Sequence, residues 1–453
     1  MVPPDAPNPA TGLILTGGGA RAAYQAGVLR AISRIRRDSG APPGNPFPII
    51  VGTSSGAINA SGLACRADDF DAAVEEMAQV WVNFHVDQIY RADAASVIRT
   101  GAKWLGLFTL GWAISRWRNA RPRSFLDNTP LAELLHRIID FDRLHAVMHA
   151  GHLQSLAVSA SSYSSGQHVT FYESMRDVEP WVRTQRIARQ DRLTTQHLLA
   201  SAAIPFIFPS IGLKLDGRTE YFGDGSMRQV APISPAVHLG AERVLVVGAG
   251  RMMEPAGTRL VSRSYPSLAQ IAGHAMSNIF LDALAVDVER IERVNHTLQL
   301  IPPEDRAKSK LRHVDLLVIA PSERLDDIAA KHLRALPLSI RSMLRALGVS
   351  SKGRGTTGGS ALGSYLLFES DYTRELVELG ERDTEARRAD VCAFFGWDSA
   401  TTPRPEPGRD PALPPTSFHN PDVARGMEAG AAQPAPVPTP AFASPLPDAP
   451  ARG

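Results

Sequence analysis

The chain has 453 residues, of which 44% are hydrophobic and 21% charged, a composition typical of a globular protein with a substantial core. Its formal net charge of +2 argues against nucleic-acid binding driven by overall charge, and Cys65 and Cys392 lie too far apart in sequence to form a metal or redox motif. The N-terminal residues lack the basic and apolar regions of a secretory signal, and no apolar run is long enough to span a membrane. We therefore expect a cytoplasmic protein, or one held peripherally at the inner face of a membrane, without a nucleic-acid partner.

Apolar strands alternate with helical patterns along most of the chain. A strand at 12–16 leads into a helix at 21–37, and the strand "FPIIVG" leads into a helix of small residues. A hairpin is expected at 211–223, because Asp216-Gly217 supplies the positive φ angles of a tight turn. Further strands are predicted at 153–161, 167–174, 243–250 and 314–321, and further helices at 69–83, 129–139 and 265–298. This alternation predicts a three-layer α/β/α fold with a mostly parallel central sheet.

Composition divides the chain into four regions. Residues 1–10 are predicted to be a disordered lead, and residues 11–325 to form the α/β domain. Residues 326–399 read as a helical C-terminal region. Residues 400–453 are rich in proline and poor in hydrophobic pattern, which predicts a disordered tail.

The first strand runs into three successive glycines and then into a helix. The stretch "GGGARA", residues 17–22, fits the G-x-G-x-x-A pattern of dinucleotide-binding loops. That interpretation needs an acidic residue at the end of the second strand, about 20 residues further on, to bind the ribose. Counting on from the glycines instead reaches Asp38, at the end of the first helix. Dinucleotide binding therefore stays an alternative that lacks its confirming residue.

The second strand runs into "GTSSG", which is a G-x-S-x-G motif between a strand and a helix. In that context the motif forms a nucleophile elbow, a strained turn that exposes the serine Oγ. Ser54 is the predicted nucleophile, and Gly52 and Gly56 leave room for it. The earlier glycines, residues 17–19, offer backbone N–H groups at a helix N-terminus, where the dipole favours negative charge. We therefore expect them to bind the oxyanion of a reaction intermediate.

Four segments together resemble the patatin-like phospholipases, the bacterial branch of the lipid acyl hydrolases. The segments are "GGGARAAYQAGVL" (17–29), "GTSSGAINA" (52–60), "ASAAIPFIFP" (200–209) and "YFGDGS" (221–226). They follow one another in the order expected for the family and cover roughly residues 11–250. Four motifs in order are much more specific than any one of them.

The resemblance implies a patatin-like fold and a Ser–Asp dyad, in which Ser54 is the nucleophile and Asp224 the general base. It implies an oxyanion hole formed by Gly17, Gly18, Gly19 and Arg21, with Gly52, Gly56 and Gly225 as supporting glycines. It implies no metal and no cofactor. One departure is Ser226, because the family usually has Gly or Ala after Asp-Gly, and this substitution makes the positioning of the base less certain.

A basic and aromatic insertion is predicted within residues 85–123. Trp104, Phe108 and Trp112 recur every four residues and would form one stripe on a helix flanked by arginines. Such a helix suits a lipid interface, so the segment is a candidate lid or membrane-facing element. The alternative is that the stripe packs on the body of the domain.

The predicted function is that of a serine lipid acyl hydrolase of the phospholipase A or esterase type, acting on a phospholipid or another acyl ester. Besides dinucleotide binding, three alternatives remain: an acyltransferase that uses the same site, a non-catalytic membrane-associated scaffold, and a Ser–His–Asp hydrolase that uses His296 or His313. The histidines of "HAVMHAGH" could share a helical face, but no carboxylate joins them, so a surface or cap role is favoured over metal binding.

Overall fold

A computed structural model describes residues 10–91, 124–251, 271, 273–275, 283–306, 308–309, 311–346 and 357–397. The described residues belong to one compact unit that spans residues 1–399, and a second unit spans residues 400–453. The tail and nearly all of the lead lie outside the described residues. So do residues 92–123, with Trp104, Phe108 and Trp112, and the expectations for these segments stay predictions.

One sheet of ten strands forms the centre of the described fold. The strands are β1 Thr11–Leu15, β2 Ile49–Thr53, β3 Ser155–Ser162, β4 His168–Ser174, β5 Val182–Arg183, β6 Arg186–Gln190, β7 Ile211–Leu215, β8 Arg218–Asp224, β9 Arg243–Val247 and β10 Asp315–Ile319. Their order is β10-β9-β1-β2-β3-β4-β6-β5, with β8 paired to β3 and β7 paired to β8. The run from β10 to β3 is parallel throughout, as the continuous apolar strands predict.

Helices cover both faces of the sheet. They are α1 Ala23–Asp38, α2 Ser55–Ala64, α3 Phe70–Val82, α4 Thr129–Ile138, α5 Phe141–His149, α6 Thr195–Ser201, α7 Ser234–His238, α8 Ala283–Leu300, α9 Pro303–Arg306, α10 Leu325–His332, α11 Leu338–Ala346, α12 Thr357–Leu366, α13 Ser370–Ala386 and α14 Arg388–Phe395. Among the helices that the structure describes, none is both long and apolar enough to cross a membrane.

The alternation of side chains along each strand separates two hydrophobic cores. On β1, Leu13 and Leu15 join the core beneath α1, α2 and α3, whereas Ile14 joins the core beneath α7 and α8. Both layers of helices are therefore packed against a sheet that is buried on its two faces. The three-layer α/β/α architecture expected from the sequence is confirmed.

The helices that follow β10 share the first core with the rest of the unit. Helix α13 packs so closely on α1 that a Cβ at Gly27 would collide with the Val377 carbonyl. The Tyr24 hydroxyl of α1 also donates a 3.0 Å hydrogen bond to Asp383 of α13. Helix α13 is therefore packed directly against the helix that follows the glycine loop.

Most predicted elements are present, with a few differences. The hairpin turns on Asp216 and Gly217, both with positive φ, and the flanking Leu215 and Arg218 pair directly. The helix predicted from residue 21 begins instead as a 3₁₀ turn over Gly19–Ala22 before α1. The short β5–β6 pair was not predicted, because its residues are mostly exposed and carry no continuous apolar run.

Candidate active site

The turn after β2 holds Ser54 in a conformation that side chains rarely adopt. Its φ is 55° and its ψ is −129°, and α2 begins at the next residue. Gly56 must lack a side chain, because a Cβ there would collide with the Leu15 carbonyl at the end of β1. The strain and the close approach are those of a nucleophile elbow, as the G-x-S-x-G motif predicts.

The register of β3 brings Ser54 to Asp224. Thr53, the last residue of β2, pairs with Ser159 of β3, and Asp224, the last residue of β8, pairs with the adjacent Ala160. The two strands thus end next to each other along β3. The Ser54 Oγ donates a 2.6 Å hydrogen bond to the Asp224 Oδ2. No other side chain stands between the two groups that the sequence singled out.

Asp224 is completely buried, which makes its carboxylate a stronger proton acceptor than an exposed one. Burial raises the pKa of Asp224 from 3.8 to about 6, although hydrogen bonds from the Ser54 hydroxyl and the Ser226 amide counteract this effect. The Ser226 N–H donates to Asp224 Oδ1 at 2.8 Å. Because the amide makes this bond, the serine at 226 supplies the same contact that Gly or Ala would supply.

Ser201 forms hydrogen bonds that hold the turn at Ser54 in place. Its Oγ accepts a 2.8 Å hydrogen bond from the Ser54 N–H and donates a 2.6 Å bond to the Ser159 carbonyl. The Gly225 N–H donates in turn to the Ser201 carbonyl at 3.0 Å. Ser201 therefore links the turns that carry Ser54 and Asp224. Ser201 lies in the segment "ASAAIPFIFP", whose sequence gives no sign of this role.

The glycine loop after β1 fits tightly between two other parts of the chain. Gly19 has a φ of +56°, and a Cβ there would collide with the Tyr365 backbone; a Cβ at Gly18 would lie 2.5 Å from the Ala249 Cβ. Within the described part of the chain, the N–H groups of Gly17, Gly18 and Gly19 donate to no protein acceptor. These donors remain available to a ligand, and Gly19 lines the same cavity as Ser54.

Arg21 differs from the expectation that it joins the oxyanion hole. Its guanidinium is buried, donates to Ser364 Oγ at 2.8 Å and to Asp326 Oδ1 at 2.5 Å, and lies 3.9 Å from the centre of the Tyr365 ring. It does not belong to the residues that line the cavity at Ser54. The partners are 305 and more residues away in sequence, which is why the motif alone gave no sign of them. Arg21 anchors the loop to the C-terminal helices.

A buried amide network holds the loop from its other side. The Asn59 side chain of α2 donates to the Ala22 carbonyl at 3.1 Å and to Gln25 Oε1 at 2.9 Å, and accepts from Trp81 Nε1 at 2.8 Å. Gln25 then donates to the Thr16 carbonyl at 2.8 Å, immediately before the glycines. The network therefore fixes both ends of the loop to α2, the helix that begins after Ser54.

An apolar cavity extends from Ser54. Gly19, Ser54 and Ser55 belong to its lining. The remaining walls come mainly from α2, α3 and α4, together with Ala202, Ile204, Phe208 and Phe368. An ester whose acyl part is apolar would therefore find its carbonyl beside Ser54 and its chain in an apolar surrounding.

The histidines considered from the sequence lie elsewhere. His296 and His313 are exposed, and His313 faces Asp315 at 3.4 Å. His145 and His149 each contact the carbonyl four residues before them on α5. Among the described residues, no group of three or more His, Cys, Asp and Glu side chains is placed to hold a metal ion. The direct contact to Ser54 comes from Asp224, not from a histidine.

Residues 13–237 match the family profile described as "Patatin-like phospholipase". Among solved structures, the chain is similar to VipD from Legionella pneumophila, at 11% identity and a TM-score of 0.26, covering 82% of this chain and 67% of that one. It is also similar to the heterodimeric ExoU–SpcU complex from the type III secretion system of Pseudomonas aeruginosa, at 13% identity and a TM-score of 0.25, covering 85% and 77%. A comparison with curated proteins finds no match.

Proposed function

The chain belongs to the patatin-like phospholipase family through residues 13–237, and from this premise we propose that it is a serine lipid acyl hydrolase of the phospholipase A or esterase type. Ser54 is the nucleophile and Asp224 the general base of this proposal. The observation that carries it is the 2.6 Å hydrogen bond from the Oγ of Ser54, which lines an apolar cavity, to the buried Asp224 carboxylate.

In the first half of the reaction, Ser54 Oγ attacks the carbonyl carbon of the ester while its proton passes to Asp224 Oδ2. The carbonyl oxygen becomes an oxyanion, which the N–H groups of the glycine loop bind. The positive end of the α2 dipole, beside Ser54, favours the same charge. The ester C–O bond then breaks, and the proton on Asp224 passes to the leaving alcohol, which leaves an acyl-enzyme.

In the second half, water attacks the acyl carbonyl and gives a proton to Asp224. The oxyanion forms again at the glycine loop, the bond to Ser54 Oγ breaks, and the proton on Asp224 returns to that oxygen. A fatty acid leaves and the dyad is restored. An alcohol in place of water would complete an acyl transfer by the same steps, so acceptor alcohols belong in the assay.

The test is hydrolysis of short-chain p-nitrophenyl esters and of phospholipid vesicles by the wild type, Ser54→Ala and Asp224→Asn. We expect measurable hydrolysis in the wild type and a fall of about 10³-fold or more in both variants. Ser61→Ala on α2 and Asp216→Asn on the β7–β8 hairpin are matched controls, because both residues lie outside the cavity lining.

Hydrolysis that survives Ser54→Ala would reject the assigned nucleophile. A wild type that cleaves neither substrate, and transfers no acyl group to an added alcohol, would favour the scaffold alternative.

A further inference from the structure

One stripe of α2 follows the cavity away from the nucleophile. Ser55, Ile58, Gly62 and Arg66 all line it, and they are spaced by three or four residues, as on one face of a helix. The cavity therefore extends along α2, from Ser54 at the helix N-terminus towards Arg66 just beyond its C-terminus.

The walls opposite this stripe are apolar for most of their length. They comprise Ala73, Met77, Val80 and Trp81 of α3 and Leu131, Leu134, Leu135 and Ile138 of α4. Such walls leave few hydrogen-bonding partners to a guest, whereas a saturated alkyl chain needs none. The chemistry of the walls matches an acyl chain more closely than a polar head group.

Gly62 is the open position in the stripe. A Cβ built at Gly62 would meet no atom within 4 Å, although the residue lies in the interior of α2. Glycine costs about 1 kcal/mol relative to alanine at such a position. Its backbone has no positive φ that would require glycine. The space beside Gly62 therefore belongs to the cavity that this residue lines, and a larger side chain there would enter it.

A charged pair marks the far end of the apolar walls. Arg66 forms an ion pair with Glu76 of α3, and the two side chains are 42% and 51% exposed. Twelve residues separate Ser54 from Arg66, which is about 18 Å at the rise of an α-helix. An extended alkyl chain with 1.52 Å bonds advances about 1.25 Å per carbon, so about 14 carbons fit before the pair, and about 10 before Gly62.

We propose that this cavity is an acyl-chain channel that selects substrates by chain length. Gly62 is the position that keeps the channel open, and the Arg66–Glu76 ion pair marks the point at which its apolar walls end. The inference rests on the proposed function, because it places the acyl carbonyl at Ser54. The substrate class is esters of saturated acyl chains of up to about 14 carbons.

Binding of saturated fatty acids of 6 to 18 carbons, measured by calorimetry below their micellar concentrations, tests the proposal without catalysis. Affinity should rise about fourfold per added carbon until the chain fills the channel, and then stop rising. We expect this break near 14 carbons in the wild type and near 10 in Gly62→Phe. The double variant Arg66→Leu/Glu76→Leu should move the break beyond 14.

Gly62→Ala and Gln79→Phe are the controls, the second because it adds the same ring to the exposed face of α3. Both should keep the wild-type break, and thermal unfolding should show that every variant folds. The channel proposal is rejected if affinity still stops rising near 14 carbons in Gly62→Phe. It is also rejected if Gly62→Phe lowers affinity equally at all chain lengths. Parallel hydrolysis of 4-carbon and 14-carbon esters separates the two proposals: a shifted binding break without any hydrolysis rejects the hydrolase and keeps the channel.

Discussion

The glycine loop after β1 and the nucleophile turn after β2 both connect a buried strand to a helix, yet they are held in different ways. The Ser54 turn is fixed by Ser201, Ser159 and Asp224, all within the segment that matches the family. The glycine loop is fixed in large part by residues beyond that segment, Asp326 and Ser364.

This difference teaches that the predicted nucleophile and the predicted oxyanion donors depend on separate parts of the chain. The nucleophile turn should respond to substitutions in the sheet around β3. The loop should respond to substitutions in α10 and α12, which contribute no residue to the dyad. Variants that affect one turn and spare the other therefore test the comparison.

The largest effect is expected at the nucleophile turn, in Asp224→Asn. Loss of the base should lower kcat by about 10³-fold or more. The same variant should be more stable than the wild type above pH 6, because burial raises the pKa of Asp224 from 3.8 to about 6. The folded protein keeps this proton over a range in which the unfolded chain has lost it, so stability falls as pH rises from about 4 to 6, by up to about 3 kcal/mol.

Chemical unfolding at pH 4 and pH 8 measures this gain. The gain in stability of Asp224→Asn over the wild type should be present at pH 8, where only the wild type buries a charge at this position. It should be absent below pH 4, where Asp224 is protonated in the folded and in the unfolded wild type. A variant that is less stable than the wild type at pH 8 would show that the carboxylate supports the fold rather than opposes it.

A smaller effect on activity is expected at the glycine loop, in Asp326→Ala. Arg21 would remain buried without its carboxylate partner, at a cost of about 3–5 kcal/mol in unfolding free energy. The glycine loop, correctly placed, binds the charge of the transition state and not the ground-state substrate. Its displacement should therefore lower kcat by about tenfold and leave KM nearly constant. Asp327→Ala, its exposed neighbour on α10, is the control for both measurements. An unchanged kcat in folded Asp326→Ala would contradict the inference that the glycine loop depends on α10.

Ser201→Ala should have an effect on kcat of several-fold, confined to the nucleophile turn. It leaves the Ser54 N–H and the Ser159 carbonyl without their shared partner, which costs about 1–3 kcal/mol in stability. Ser61→Ala removes the same atom at a buried serine whose hydroxyl has no hydrogen-bond partner among the residues that the structure describes. Equal losses in the two variants would mean that packing, not the hydrogen bonds, supports the turn.

The smallest change is expected when His168 is replaced by glutamine. Its Nε2–H donates to the Gly225 carbonyl at 3.1 Å, and burial lowers the pKa of His168 to about 4. In the wild type we expect kcat/KM to rise with pH through about pH 6, because this rise reports the deprotonation of Asp224. The same rise should therefore persist in His168→Gln. Loss of this rise in the variant would assign it to the histidine.

The sequence predicted the parts of the site that depend on local pattern. Ser54 follows from G-x-S-x-G after an apolar strand, and Asp224 follows from the resemblance of "YFGDGS". Their contact depends on β3, where Ser159 and Ala160 align the ends of β2 and β8, and no local pattern reports that register. The side-chain partners of Arg21 escaped prediction for the same reason, since they come from helices more than 300 residues away in sequence. The Asn59–Gln25 network also needs the packing of α2 on α1 before it exists.

Covalent labelling with a fluorophosphonate, followed by mass spectrometry of the peptides, tests the central claim most directly. The proposed dyad predicts one adduct, on the peptide that contains Ser54, which disappears in Ser54→Ala and forms much more slowly in Asp224→Asn. An adduct on another residue, or equal labelling of wild type and Asp224→Asn, would contradict a serine activated by Asp224.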